Sequence, residues 1–318
     1  MHTASTEKKT GKRIFNGLRL LGIILFVIIL FRVDLKAIGN ALLEADLFFV
    51  LLGIFFQIMV LISKGIRWHL MNDGRKLWKH WAQSLGRFYE SYAIGIVTPG
   101  RMGELIKAGH ETGKNNIFGA GIRVLAERGL DIGVFVALAG LSVLSGYYIE
   151  LKSVFGWTII GSGAFIIVLS VLIFTSARFI RWVNTLFQRL PGKWKEIIVE
   201  HKRFSPKITF AILLMSLISN ISYFISCYYL GQAAGINAGF IWIAGAVAVS
   251  GLLNMLPVTI MGLGTREVVF LYVFQSFDQN LTLAFSFLVV FIAQIGGGLI
   301  ALSAGQFLIF RTKHFNYE

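Results

Sequence analysis

The sequence is poor in cysteine and in acidic residues, and it lacks several motifs of catalysis. Only one cysteine, Cys227, occurs in 318 residues, which excludes an intramolecular disulfide and a metal site of the CxxC type. No HExxH spacing is present for a catalytic metal, and no Walker A motif is present for ATP hydrolysis. We therefore expect no metal or other cofactor.

Charged residues are also scarce, because they make up 14% of the chain whereas hydrophobic residues make up 56%. Together with a mean hydropathy of +0.71, these values lie outside the range of soluble domains and predict a polytopic, all-α membrane protein. Apolar runs of about 17 residues or more are long enough to cross the bilayer as helices. Six such runs occur, at residues 14–31, 47–63, 132–149, 154–177, 208–230 and 281–310.

The net charge of +14 is explained by topology and does not predict a nucleic-acid partner. Twenty of the 30 Lys and Arg residues lie in four segments, whereas the intervening loops hold only three. This bias predicts a cytoplasmic side for the basic segments, in a multi-pass protein of the cytoplasmic membrane with both termini inside. The four basic segments are residues 1–13, 64–87, 176–207 and 311–318.

Two further apolar pieces, 84–98 and 240–256, each run into a Pro/Gly break that is followed by charged residues. The predicted topology requires the first piece to enter and leave from the cytoplasmic side, as a re-entrant hairpin. Residues 240–276 form either a re-entrant hairpin from the opposite face or a pair of full spans. Opposed broken helices are typical of inverted-repeat transporters. We therefore expect one integral membrane domain, 1–318, with repeat halves of about 1–150 and 151–318.

The stretch "TPGRMGELIK", residues 98–107, predicts a binding site for an anion. Thr98 is a good N-cap and Pro99 suits the first helical position, so we expect a helix to begin there with free N–H groups. Gly100 and Gly103 would leave that end uncovered by side chains. Adding Arg101 would complete a phosphate site.

Acidic residues near these cations predict counter-charges. Glu104 lies one helical turn from both Arg101 and Lys107. In "LPVTIMGLGTRE", residues 256–267, we expect a second capped helix N-terminus, with Thr265 as the cap and Arg266 and Glu267 in the first turn. We expect Glu104 and Glu267 to reach one central cavity.

A third cluster, "RVLAERGLD" at 123–131, places Arg123, Glu127 and Asp131 on one helix face, with Arg128 adjacent. Ionisable groups at membrane depth usually face a protein interior or a water-filled cavity. The alternatives are a structural ion-pair network here and a solvated juxtamembrane helix at 98–107. For "KGIRW", residues 64–68, an interfacial Arg/Trp anchor is the favoured interpretation over a binding role.

In chain order, the stretches "KGIRW", "TPGRMGELIK", "RVLAERGLD" and "NMLPVTIMGLGTRE" resemble the landmarks of the lysylphosphatidylglycerol synthase transmembrane-domain family, the flippase-like membrane proteins. The resemblance covers nearly the whole chain and implies two broken-helix elements around a path for a lipid headgroup. It carries the family's three motifs onto Pro99, Arg101, Gly103 and Glu104, onto Glu127, Arg128 and Asp131, and onto Gly262, Gly264 and Glu267.

The chain ends at "RTKHFNYE", so we expect neither the soluble aminoacyl-transfer domain of some relatives nor synthase activity. The favoured function is translocation of a phosphate-bearing lipid, either a phospholipid or a polyprenyl-phosphate-linked lipid. Its energy would come from gradients or from the lipid's own concentration difference and not from ATP. One alternative is a membrane-embedded enzyme that uses Mg²⁺ on isoprenoid-phosphate lipids. Another is a scaffold subunit that transports nothing. A homo-oligomer is compatible with all three.

Overall fold

The computed structural model of the protein describes residues 35–73, 81–109, 117–145, 153–189, 204–255 and 261–314. These residues are almost entirely helical, with no strand among them, which confirms the predicted all-α bundle. The helices are α1 (Leu35–Leu43), α2 (Leu47–Asp73), α3 (Trp81–Val97), α4 (Ile106–Gly109), α5 (Ile117–Leu144), α6 (Ser153–Thr175), α7 (Ala177–Arg189), α8 (Pro206–Ala233), α9 (Phe240–Met255), α10 (Thr265–Val273), α11 (Gln279–Leu288) and α12 (Gly297–His314).

Hydrophobic runs predicted most of the long helices. In the described part of the chain, four helices are long and apolar enough to cross a membrane, and they match the predicted spans at 47–63, 154–177, 208–230 and 281–310. The span predicted at 132–149 belongs to α5, which begins earlier, at Ile117, and carries the charged cluster inside the helix. The first predicted span, 14–31, lies outside the described residues.

Local capping chemistry fixes where two of these helices begin. Ser205 has extended backbone angles and its hydroxyl accepts a bond from the N–H of Ile208 at 3.4 Å, while Pro206 takes the first helical position of α8. Asp278 caps α11 in the same way, accepting bonds from the N–H groups of Asn280 and Leu281. From there a π-helical segment, Val289–Gly296, continues α11 into α12.

Small residues bring the helices into close contact, as is common in membrane bundles. Between α5 and α6, a Cβ added at Gly163 would lie 2.6 Å from the carbonyl oxygen of Gly133. Between α2 and α8, the hydroxyl of Ser226 donates to the carbonyl of Gly53 at 2.7 Å. Glycine at these positions therefore permits backbone approach that any side chain would prevent.

The helix α3 has 17 residues and ends at Val97, directly before the Pro/Gly break at which a re-entrant hairpin was expected. It is followed by a short segment, Pro99–Leu105, and by the four-residue helix α4. The re-entrant path and the two-repeat organisation stay predictions. Pro257, in the second break, lies outside the described residues.

Candidate functional site

The Pro99–Leu105 segment is a sharp turn and not the beginning of a regular helix. Gly100 and Arg101 both have left-handed backbone angles, with φ of 59° and 54°. The hydroxyl of Thr98 accepts from the N–H of Gly103 at 2.8 Å and donates to the carbonyl of Gly95 at 3.0 Å. A helical segment therefore begins at Pro99 after Thr98, as expected, but it is a 3₁₀ segment kinked at Gly100 and Arg101 and not a regular α-helix. The anion site at its N-terminus stays a prediction.

A left-handed arginine costs about 1–2 kcal/mol relative to the right-handed form, so something must hold Arg101 in place. The guanidinium of Arg128 on α5 supplies two bonds to this turn. It donates to the carbonyl oxygen of Gly100 at 3.1 Å and to that of Arg101 at 2.5 Å. Arg128 thereby ties the backbone of the turn to α5.

Gly103 allows the turn to pack against α3. A Cβ at this position would lie 2.8 Å from the carbonyl oxygen of Ile94. Gly95 has the same role from the other side, because a Cβ there would lie 2.5 Å from Cγ of Glu104. Glycine at position 103 is therefore required by the close approach of α3, and its expected part in an anion site stays a prediction.

Glu104 lies among three cations. Its carboxylate oxygens are 3.4 Å from Arg128, 3.7 Å from Lys107 and 3.9 Å from Arg101. The expected proximity to Arg101 and Lys107 is present, and Arg128 is the nearest of the three. The ion pair between Arg101 and Glu104 is the longest of the set, so Arg101 is the least engaged of these cations.

Lys107 and Glu127 form a buried ion pair whose atoms Nζ and Oε2 are 2.5 Å apart. The ammonium of Lys107 also lies 4.4 Å from the ring centre of Trp68, and this aromatic face stabilises the charge away from water. Trp68 is 1% exposed. The expectation of an interfacial Arg/Trp anchor at residues 64–68 is therefore wrong for Trp68.

Arg67 contradicts the same expectation, because its side chain is also about 1% exposed. It donates to Glu127 at 2.8 Å, to Asp131 at 2.7 Å and to the hydroxyl of Ser216 at 3.1 Å. Burying a charge is costly unless it is paired and hydrogen-bonded, and Arg67 satisfies both conditions. This arginine joins α2, α5 and α8 at the floor of the site.

Asp131 has two more partners besides Arg67. The ammonium of Lys64 lies 2.9 Å from Oδ2, and the side-chain amide of Asn220 donates to Oδ1 at 3.1 Å. Glu127 and Asp131 thus face one direction from α5, as their i+4 spacing predicted. Arg123 is on the same helix but is not among the residues that line the cavity described next.

Except for Lys107, the charged side chains of this cluster line a cavity inside the bundle, which is bordered by α2, α3, α5, α8, α9 and the Pro99–Leu105 turn. The cavity and the solvent space at its open side together have a volume of about 830 Å³. In the described part of the chain, five cations and three carboxylates form the cluster, which gives it a net charge of +2. The cations are Lys64, Arg67, Arg101, Lys107 and Arg128, and the carboxylates are Glu104, Glu127 and Asp131.

The five cations divide into two groups by exposure. Arg67 and Lys107 are each about 1% exposed and are held by carboxylates. Arg101, Arg128 and Lys64 are 25%, 19% and 16% exposed, and all three line the cavity. An anion that enters the cavity therefore meets these three first.

The second predicted motif has a different arrangement. Gly264, with φ of 86°, is the N-cap of α10, so Thr265 is its first residue and not the expected cap. The Glu267 carboxylate accepts from the N–H of Gly264 at 2.6 Å and from the hydroxyl of Ser286 at 2.6 Å. It is fully buried and does not reach the cavity, so its expected place beside Glu104 is wrong.

Arg266 is paired with its neighbour Glu267, at 3.2 Å, and donates from Nε to Ser286 at 2.9 Å. Gly262, with φ of 72°, packs against Asn254, since a Cβ there would lie 3.3 Å from Cγ of Asn254. Arg266 and Gly262 line a second, smaller chamber. The first and second motifs therefore flank neighbouring cavities, although only the first supplies an excess of positive charge.

Sequence reasoning missed Asn220 and Tyr223, which line the main cavity from α8. A signal was present, because polar residues recur at helical spacing in this apolar span, at Ser216, Asn220, Tyr223 and Cys227. Such a stripe indicates a face turned to the protein interior.

The helices and the cavity define a polytopic membrane protein with a cation-rich site inside its bundle. Residues 19–301 match the family model described as Lysylphosphatidylglycerol synthase TM region. The chain belongs to this family, which confirms the resemblance identified from its motifs. No curated protein was found to match the chain significantly.

Proposed function

We propose that the protein translocates a phosphate-bearing lipid across the membrane, with the phosphate bound in the cation-rich cavity. The observation that carries this proposal is the net charge of +2 on a cluster of eight ionisable side chains in the described part of the chain, which lies inside the bundle and exposes three cations to the cavity. An excess of charge that is removed from bulk water is costly, and a lipid phosphate that enters the cavity compensates it. Membership of a lipid-handling family also supports a lipid as the molecule that is bound.

Arg101 is the side chain that we assign to the phosphate. It lines the cavity, it is the most exposed cation of the cluster, and its contact with Glu104 is long at 3.9 Å. A guanidinium binds two phosphate oxygens at once, which a lysine ammonium does not reproduce. Glu104 competes with the phosphate for Arg101. This competition weakens the binding of the phosphate enough for the lipid to be released.

The proposed cargo is a phospholipid or a polyprenyl-phosphate-linked lipid, since both present a phosphate beside long apolar chains. The apolar outer surfaces of the helices, such as the exposed Phe165 and Phe210, suit contact with acyl or prenyl chains. The protein is proposed to act without a metal. Each of the three carboxylates of the cluster has a cation within 3.4 Å, an arrangement that favours ion pairing over a Mg²⁺ cage.

The proposal is tested by translocation of a labelled phospholipid in proteoliposomes. We expect Arg101→Ala to lower the translocation rate by about tenfold or more. Arg101→Lys should restore only part of the rate, because lysine keeps the charge but lacks the planar guanidinium that donates two parallel hydrogen bonds. The matched control is Arg181→Ala, which removes an exposed arginine of α7 outside the cavity. Full activity of Arg101→Ala would contradict the assignment of the phosphate to this residue.

A further inference from the structure

The helix α7, Ala177–Arg189, begins where an apolar span ends. The apolar part of α6, Val154–Thr175, has 22 residues, which is enough to cross the hydrocarbon core of a bilayer. Ser176 separates the two helices and caps the second, because its hydroxyl accepts from the N–H of Phe179 at 3.1 Å. A helix that follows a span so closely lies at a membrane surface, here the one that the charge distribution predicts to be cytoplasmic.

One face of α7 packs against the bundle. Ile180 is buried and contacts Ile122 of α5 and Ile173 of α6. Val183 and Phe187 pack beside it, since they follow Ile180 at helical spacing. This contact determines which side of α7 is turned away from the protein.

A second face of α7 is exposed and combines apolar with basic side chains. Its members follow one another at intervals of three or four residues and form one stripe, which we call the Trp182 stripe: Arg178, Trp182, Leu186 and Arg189. All four are exposed, Trp182 at 57% and Leu186 at 42%. Neither arginine has a carboxylate partner among the described residues, and no acidic residue occurs from position 177 to 189.

The chemistry of the Trp182 stripe suits a membrane surface that contains anionic lipids. Tryptophan is enriched at the level of the lipid headgroups. A helix that carries Trp and Leu on one face, with arginine beside them, lies in the plane of the interface. Trp182 and Leu186 would enter the boundary of the acyl chains, and the two arginines would reach the headgroup phosphates. The excess of positive charge favours anionic over zwitterionic lipids.

We propose that α7 is an interfacial helix and that its Trp182 stripe binds anionic lipids of the surrounding membrane through Arg178 and Arg189. This site lies on the outside of the bundle and shares no residue with the cation-rich cavity. The inference is therefore independent of the proposed translocation.

The neighbouring stripe of α7 offers matched controls. Its members, Arg181, Thr185 and Gln188, each precede a residue of the Trp182 stripe and are therefore turned about 100° away on the helix. All three are exposed. They face water when the Trp182 stripe faces the lipid.

Hydrogen exchange of the full chain in nanodiscs tests the contact with lipid charge. Nanodiscs of phosphatidylcholine are compared with nanodiscs that also contain phosphatidylserine with the same acyl chains. Each arginine at an anionic surface contributes a factor of about five, so the amides of 177–189 should exchange about 25-fold more slowly with phosphatidylserine. Replacing both Arg178 and Arg189 by Gln should abolish this difference, whereas Arg181→Gln should keep it. Equal exchange in the two nanodiscs, or equal loss in Arg181→Gln, would overturn the proposal.

A fluorophore on a single introduced cysteine tests the orientation of α7 in the same nanodiscs. Native Cys227 is fully buried and serves as background. A label at Leu186→Cys should be quenched by nitroxides on the acyl chains, and a label at Gln188→Cys by iodide in the water. Should Leu186→Cys fail to fold, Trp182→Cys on the same stripe is expected to give the same result. Quenching by iodide alone at both faces would overturn the interfacial position and leave the phosphate cavity standing.

Discussion

The ammonium of Lys107 and the carboxylate of Glu127 are 2.5 Å apart, and both side chains are almost completely buried. Glu127 also accepts from Arg67, so this one carboxylate of α5 connects α4 with α2. The pair therefore belongs to the framework of the site, whereas the more exposed Arg101 belongs to its binding surface.

Lys107→Met tests that distinction. Removing Lys107 takes one of two cations from the buried Glu127 and leaves the carboxylate with Arg67 alone, so the cost should stay below the roughly 3–5 kcal/mol of a fully uncompensated buried charge. We expect a clearly lower melting temperature in detergent, with transport lost in parallel. The control is Lys207→Met, which removes an exposed lysine at the beginning of α8. Equal melting temperatures for the two variants would contradict the structural role of Lys107.

Glu104→Gln should act on turnover and not on folding. Without this carboxylate Arg101, Arg128 and Lys107 lose a shared counter-charge, so the cavity becomes more positive. The phosphate should then bind roughly tenfold more tightly and leave more slowly. In proteoliposomes we expect a lower maximal rate and a lower half-saturating lipid fraction, while the exposed control Glu44→Gln behaves as the unmodified protein. Weaker lipid binding by Glu104→Gln would refute the competition between Glu104 and the phosphate.

The contact between α5 and α6 offers a test with a control two residues away. Alanine at Gly163 would place its Cβ 2.6 Å from the carbonyl of Gly133, whereas alanine at Gly161 would meet no atom within 4 Å. We expect Gly163→Ala to lose about 1–3 kcal/mol of stability, because the helices must move apart. Gly161→Ala should be neutral or slightly stabilising, since alanine favours helix over glycine. A thermal melt of both variants decides the point, and identical curves would argue against the close approach.

The charge distribution predicts the side of the membrane for two exposed positions. A cysteine at Gln188 should be shielded in intact cells from a maleimide that does not cross membranes, and a cysteine at Asn237 should react. Both residues are exposed, and native Cys227 is fully buried and serves as background. Reaction of the cysteine at 188 in intact cells, at the level of the one at 237, would overturn the topology.

The sequence predicted the long helices and the charged face of α5 because both depend on spacing along one helix. Apolar length determines a span, and i+4 spacing places Glu127 and Asp131 together. The left-handed turn at Gly100 and Arg101 was not predictable, because Arg128, 27 residues away, holds it through carbonyl oxygens. The burial of Arg67 was not predictable for the same reason, because it depends on residues distant in sequence. A basic residue near the end of an apolar run normally faces the membrane surface, and only its distant partners on α5 and α8 make burial favourable.

Glu267 shows how two similar motifs acquire different roles. Glu104 and Glu267 both follow a Pro/Gly break in sequence, but Glu267 lies at the third position of α10 and turns back to the N–H of Gly264. Hydrogen bonds to Gly264 and Ser286 then occupy its oxygens. The difference arises from the helix that begins at Thr265, which has no regular counterpart in the turn at Pro99–Leu105.

The position of a bound lipid phosphate is the most direct test of the proposed site. A cryo-electron microscopy structure of the protein in nanodiscs, combined with mass spectrometry of the copurified lipid, locates and identifies the molecule in the cavity. We expect density for a phosphate within about 3 Å of the Arg101 guanidinium. A cavity that holds only water or an acyl chain, with every lipid phosphate at the membrane surfaces, would contradict the proposed function.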